Sequence, residues 1–101
     1  MVEKMCLDKS KKSFFLRDDG EELILSASKG LCSITEVGVV ILRGLNIGNS
    51  IKEIFESIKA DYDVSDDELK ADMAIFCNDL HGLDIISDAK KQIYYKEINN
   101  L

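Results

Sequence analysis

The residues that most often perform chemistry in proteins are few in this chain and far apart. It contains a single histidine, His81, and three cysteines, Cys6, Cys32 and Cys77. Zinc and iron–sulfur sites need closely spaced pairs of such ligands, and these cysteines are widely separated. The acidic run at residues 66–68 lacks the alternating oxygen ligands of a calcium loop. We therefore expect no catalytic residue, no metal and no cofactor.

Composition and charge argue against several classes of function. The chain has 101 residues and is 46% hydrophobic and 32% charged, as in an ordinary soluble domain. No apolar stretch approaches the roughly 20 residues that span a bilayer, and the N-terminus lacks the apolar core of a secretory signal. Acidic residues outnumber basic ones by 19 to 13, so the phosphates of nucleic acid are poor partners. The odd number of separated cysteines predicts a reduced, cytoplasmic protein.

The elements that would carry a site are marked by a repeated pattern, Ser-x-x-Glu, which begins at Ser33, Ser50 and Ser65. In such a capping box the serine hydroxyl accepts a hydrogen bond from the backbone N–H three residues later. The glutamate carboxylate in turn accepts a bond from the serine N–H. Apolar residues at spacings of three and four follow each pattern. The sequence therefore predicts three short helices.

Short apolar runs before these helices predict strands. Residues 14–17 and 22–26 flank the sequence Asp18-Asp19-Gly20, which is typical of a β-hairpin. A third strand is expected at residues 31–34, leading directly into the first helix. We expect residues 1–12 to be a flexible segment. Residues 93–98 fit a strand and a helical turn equally well.

This order predicts an α+β, winged-helix-like fold, with a small N-terminal antiparallel sheet of three short strands followed by three helices. The domain is placed at residues 13–86, with a C-terminal extension at 87–101. A winged-helix regulator inserts its third helix into the major groove of DNA. Here the first two turns of that helix carry only one lysine and four carboxylates. The DNA phosphates would repel these carboxylates. A winged-helix transcriptional regulator and a small structural subunit of a complex are the alternative functions.

Several short motifs follow one another in a recognisable order along residues 14–86. They are Ile41-Leu42 before Gly48 and Ser50, then Glu53-Ile54, then Tyr62, then Asp72-Met73. In this order the chain resembles the PqqD-like family of small proteins and domains. These recognise the leaders of ribosomally synthesised, post-translationally modified peptides. Members usually have glycine after the third helix where this chain has Asp84, so we expect that helix end to be shaped differently.

The resemblance implies a non-catalytic adaptor, a peptide chaperone. The leader of a precursor peptide would add as an antiparallel strand beside Leu31, Cys32, Ser33 and Ile34, with apolar side chains in a groove beside the third helix. A separate enzyme, often a radical S-adenosylmethionine protein, would then modify the tethered peptide. This chain lacks the cysteine cluster of such an enzyme. No nucleic acid or membrane is expected as a partner.

The face of the third helix that meets the peptide is predicted from its periodicity. Lys70, Ala74, Cys77 and His81 share one flank of the apolar stripe, which offers small residues for a groove floor and a cation for an acidic leader residue. The opposite flank carries Glu68, Asp72 and Asp79, and Asp79→Ala is expected to have little effect on leader binding. Ala74 and Cys77 could equally well complete the core.

Overall fold

The computed structural model describes all residues, 1–101, and contains four strands and four helices. The strands are β1 (Val2–Met5), β2 (Phe14–Asp18), β3 (Leu23–Ala27) and β4 (Gly30–Ser33). The helices are α1 (Glu36–Asn46), α2 (Ile51–Asp61), α3 (Asp66–Gly82) and α4 (Asp88–Asn99). The α+β class with an N-terminal antiparallel sheet is confirmed. The predicted count of three strands and three helices is wrong, because β1 and α4 lie in the two terminal segments.

The strands form one antiparallel sheet in the order β1-β2-β3-β4. A tight turn joins β2 to β3: Gly20 has a φ of +88°, and its N–H donates to the Asp18 carboxylate at 2.9 Å. Glycine adopts this left-handed conformation without the steric penalty of a side chain. The predicted hairpin is therefore confirmed. β4 pairs only with β3, so its other edge is open.

The N-terminal residues supply the strand that the sequence did not predict. β1 pairs with β2 along its whole length, so that Met5 lies opposite Phe14. Met5 is buried, and Glu3 forms an ion pair with Arg43 of α1. A four-residue strand depends on cross-strand partners that are distant in sequence, and its local pattern is too short to reveal it.

The three predicted capping boxes have different outcomes. Ser50 and Glu53 form the complete box at the start of α2, with bonds of 2.9 and 3.1 Å. Ser65 caps α3 through its hydroxyl alone. The box at Ser33 is wrong: Ser33 ends β4, and α1 is instead capped two residues later by Thr35, whose hydroxyl accepts from the Gly38 N–H at 3.1 Å. Ser33 is still paired with Ile24 of β3, and α1 begins only at Glu36, so Ser33 lies too far before the first turn to cap it.

Residues 93–98, which fitted a strand or a helical turn, are part of the helix α4. Its N-cap is Ser87, whose N–H donates to the carboxylate of Asp8 at 2.9 Å. Hydrogen bonds from Ser10 and Ser87 hold the pKa of Asp8 well below its ordinary value. The stability that this carboxylate contributes is therefore present above about pH 4 and is lost as pH falls toward the lowered pKa. Residues far apart in sequence thus tie the β1–β2 loop to α4.

The core is one cluster of nineteen buried apolar residues, drawn from the sheet, all four helices and the α3–α4 turn. The sheet contributes Met5, Phe14, Leu16 and Leu25. Gly44 permits α1 and α2 to approach closely, because a Cβ added there would lie 2.6 Å from a side-chain carbon of Ile54. No helix combines the length and the apolar character needed to cross a membrane.

The end of α3 is closed by hydrogen bonds that require a left-handed residue. Asp84 has a φ of +60°, and its N–H donates to the His81 carbonyl at 3.0 Å. The Ile85 N–H donates to the Leu80 carbonyl at 2.9 Å, which completes a Schellman motif. Aspartate therefore adopts the conformation that glycine favours, and Lys11 forms an ion pair with its carboxylate at 2.8 Å. The different shape expected for this helix end is not observed.

This geometry predicts unequal effects for two substitutions at Asp84. Both Asp84→Gly and Asp84→Ala remove the ion pair with Lys11, but only alanine retains the cost of a left-handed backbone. The glycine variant should be more stable than the alanine variant by about 1 kcal/mol. Urea denaturation of the two proteins measures this difference, and equal free energies of unfolding would contradict the left-handed assignment.

Candidate functional site

A groove of about 420 Å³ runs between the β4 side of the sheet and α3, with α1 at its base. Its sheet side consists of consecutive residues at the end of β4 and in the turn to α1: Cys32, Ser33, Ile34 and Thr35. Cys32 and Ile34 are half-buried and pack against the core. The sheet side of the groove is therefore formed by the residues immediately before α1. The N-cap at Thr35 fixes the point at which the chain turns from β4 into that helix.

The base of the groove depends on a small residue at the start of α1. A Cβ added to Gly38 would lie 3.4 Å from a ring carbon of Phe76 and 3.5 Å from the Cβ of Ile34. Gly38 thus allows side chains from the sheet side and from α3 to meet above the helix. Val37 and Ile41 complete the apolar base.

The helix side of the groove is formed by one flank of α3. Asp72, Ile75, Phe76 and Asp79 line it and recur at spacings of three and four, so they share one face. Phe76 is half-buried, whereas Ile75 is 61% exposed. A large apolar side chain is therefore presented to solvent between two carboxylates.

The open edge of β4 offers backbone groups beside this groove. The Ile34 N–H donates to the Leu23 carbonyl of β3 at 2.9 Å. Successive N–H groups of an antiparallel strand point in opposite directions, so those of Gly30 and Cys32 also face β3. The N–H groups of Leu31 and Ser33 consequently face outward. A peptide lying along this edge would find two donors and their neighbouring carbonyls without a partner strand.

The structure brings together one part of the sequence-predicted site. Cys32, Ser33 and Ile34 line the groove, and Leu31 lies on the same strand with its side chain 67% exposed. These are the residues expected to pair with the peptide. Their contact with a peptide stays a prediction.

The predicted helix residues lie elsewhere, on the flank of α3 that faces the C-terminal segment. Lys70 donates to the Leu101 carbonyl at 3.1 Å, and His81 pairs with Asp88 of α4. Cys77 is fully buried, and Ala74 is half-buried against the core. None of the four lines the groove between β4 and α3.

Burial beside α4 also governs the chemistry of Cys77. Loss of solvent raises the pKa of its thiol to about 12, and the Glu97 carboxylate of α4 adds to the effect. Burial likewise raises the pKa of Tyr94 in α4 to about 12, with the nearby Cys77 contributing. The thiol is therefore a neutral core group at ordinary pH, because a nucleophilic cysteine needs its thiolate form.

Sequence reasoning missed Ile75 and Phe76 as groove residues. The flank of α3 predicted to meet the peptide contains neither of them. The sequence does contain a signal for this face: Ile75 is a large apolar residue on an otherwise polar side of α3, between Asp72 and Asp79. The choice between the two flanks nevertheless required α4, whose docking covers one of them.

Comparison with known proteins assigns the chain to a family. A family model described as coenzyme PQQ synthesis protein D (PqqD) matches residues 22–86. The matched region contains β3, β4, α1, α2 and α3, and so includes every residue that lines the groove. Neither a curated protein nor a solved structure matches the chain. Because the match spans more than half of the sequence, the chain belongs to the PqqD family.

Proposed function

We propose that this protein is a non-catalytic adaptor that binds the leader of a precursor peptide and presents it to a separate modifying enzyme. The leader adds as a strand along β4 and places apolar side chains in the groove against α3. The observation that carries the proposal is the open edge of β4 directly beside an apolar groove. The family description, which names the synthesis of coenzyme PQQ, favours an accessory role in such a pathway.

The two parts of the site have different roles in this proposal. The backbone groups of Leu31 and Ser33 bind any extended peptide, because their hydrogen bonds do not depend on the peptide's side chains. The groove selects among peptides, because only alternate side chains of an added strand point toward Ile75 and Phe76. Affinity and selectivity therefore come from separate groups.

A separate modifying enzyme is the second part of this proposal. Its three cysteines are separate and free, and no group of histidine, cysteine and carboxylate side chains is arranged to hold a metal. We propose that a second protein modifies the bound peptide and that this protein is a radical S-adenosylmethionine enzyme. In this role the adaptor raises the local concentration of the peptide near that enzyme.

The alternative of a winged-helix regulator is less well supported. The groove-facing flank of α3 carries Asp72 and Asp79, and its first turn carries three further acidic residues. Each carboxylate would be repelled by DNA phosphates. A winged-helix-like arrangement is proposed here for the shape of the domain only.

The first test of peptide binding is a selection from a display library of short random peptides on the immobilised full chain. Enriched peptides with alternating apolar residues would support strand addition and provide a probe for titration. A library from which no peptide is enriched would overturn the proposal.

Proline substitutions in β4 separate the outer edge from the inner one. Leu31→Pro removes an outward N–H, so it should reduce affinity for the selected peptide about fivefold or more while the fold is retained. Cys32→Pro removes an N–H that bonds to β3 and should lower the melting temperature instead. Calorimetric titrations and thermal melts of both variants measure the contrast, with Leu31→Ala as the control for the lost side chain. Undiminished binding by a folded Leu31→Pro protein would show that no peptide strand pairs at this edge.

Two exposed isoleucines provide a matched test of the groove. Ile75 lies in the groove and is 61% exposed, whereas Ile93 lies in α4 and is 54% exposed. Ile75→Ala should weaken peptide binding about tenfold, as expected for a central apolar contact, and Ile93→Ala should leave it unchanged. Both substitutions should change the free energy of unfolding by less than about 0.5 kcal/mol, because the side chains are exposed. Equal affinities for the two variants would exclude this flank of α3.

A further inference from the structure

The charges around the groove are all of one sign. Among its lining residues, Asp72 and Asp79 are the only charged ones, and both are exposed. Neither forms an ion pair with a basic residue of the chain, and neither accepts a side-chain hydrogen bond. Two carboxylates therefore flank the apolar contact without a cation of their own.

Two cations of the neighbouring helical segments are engaged elsewhere. Lys70 of α3 donates to the C-terminal carbonyl at Leu101. Lys59 of α2 pairs with Asp66 at the start of α3. No ion pair within the fold therefore engages Asp72 or Asp79. The net charge of −6 adds a longer-range attraction for a positively charged ligand.

The spacing of the carboxylates fits an extended peptide. Asp72 and Asp79 are seven residues apart, which corresponds to about 10 Å along a helix, and Ile75 lies between them. In an added strand, side chains on the same face recur every second residue, about 7 Å apart. A long lysine or arginine side chain two positions from an apolar anchor over Ile75 can reach either carboxylate.

We propose that the leader recognised by this protein is basic at the groove: it carries lysine or arginine two residues from the apolar side chain that packs on Ile75, and these cations pair with Asp72 and Asp79. The inference rests on the proposed function and specifies its ligand. It reverses the expectation from the sequence that a cation at the rim would receive an acidic leader residue.

The test compares peptide selections on three full-length proteins. They are the wild type, the pair Asp72→Asn with Asp79→Asn, and the pair Glu56→Gln with Asp63→Asn. The third protein loses the same two negative charges at exposed positions outside the groove, so it controls for net charge. The library is the same set of short random peptides in each case.

The wild type and the control pair should enrich peptides with lysine or arginine two residues from an apolar position, and the Asp72/Asp79 pair should lose that preference. One selected lysine-containing peptide should bind the Asp72/Asp79 pair about tenfold more weakly than the wild type, with less than a twofold change for the control. The difference should shrink as salt is raised.

The remaining outcomes overturn distinguishable claims. Enriched peptides without a basic preference, or with a preference unchanged in the Asp72/Asp79 pair, would refute the charge assignment and leave strand addition intact. If none of the three proteins enriches any peptide, the adaptor function itself is refuted, and this inference with it.

Discussion

The unpaired backbone on the outer edge of β4 is the constraint around which this molecule is arranged. An exposed strand edge invites pairing with other chains, and proteins commonly cover, shorten or charge such edges. Here the edge is short, with β4 covering four residues, and it lies beside a groove that α3 borders. The hydrogen-bonding requirement of two outward N–H groups and the apolar surface of Ile75 and Phe76 are thus placed side by side. Their proximity is what makes one extended peptide a fitting occupant of both.

The C-terminal helix determines which part of α3 is available. α4 packs on the flank that contains Cys77, and His81 and Lys70 contact the C-terminal segment. The start of α4 is held by Asp8 in the β1–β2 loop, and Lys11 of the same loop pairs with Asp84. The terminal segments therefore contact each other, and α4 covers the side of α3 opposite the groove. α4, which lies outside the matched residues 22–86, thereby determines which flank of α3 stays exposed.

Local signals in the sequence were sufficient for much of this fold. The Asp-Gly turn and the serine caps at Ser50 and Ser65 act within a few residues, so the hairpin and two helix starts could be predicted directly. β1 and α4 were missed because each depends on contacts with distant residues, such as Ser87 with Asp8. The same dependence explains why the predicted flank of α3 is not the one that lines the groove. Periodicity shows which residues share a face, but only packing shows what covers that face.

Amide hydrogen exchange, resolved residue by residue, tests the central claim most directly. In the free protein the Leu31 and Ser33 amides should exchange rapidly, whereas those of Cys32 and Ile34, which face β3, should be protected. Saturation with the selected peptide should slow exchange at Leu31 and Ser33 and leave the inner amides protected as before. If the peptide binds without protecting Leu31 and Ser33, it does not add as a strand to β4, and the account is contradicted.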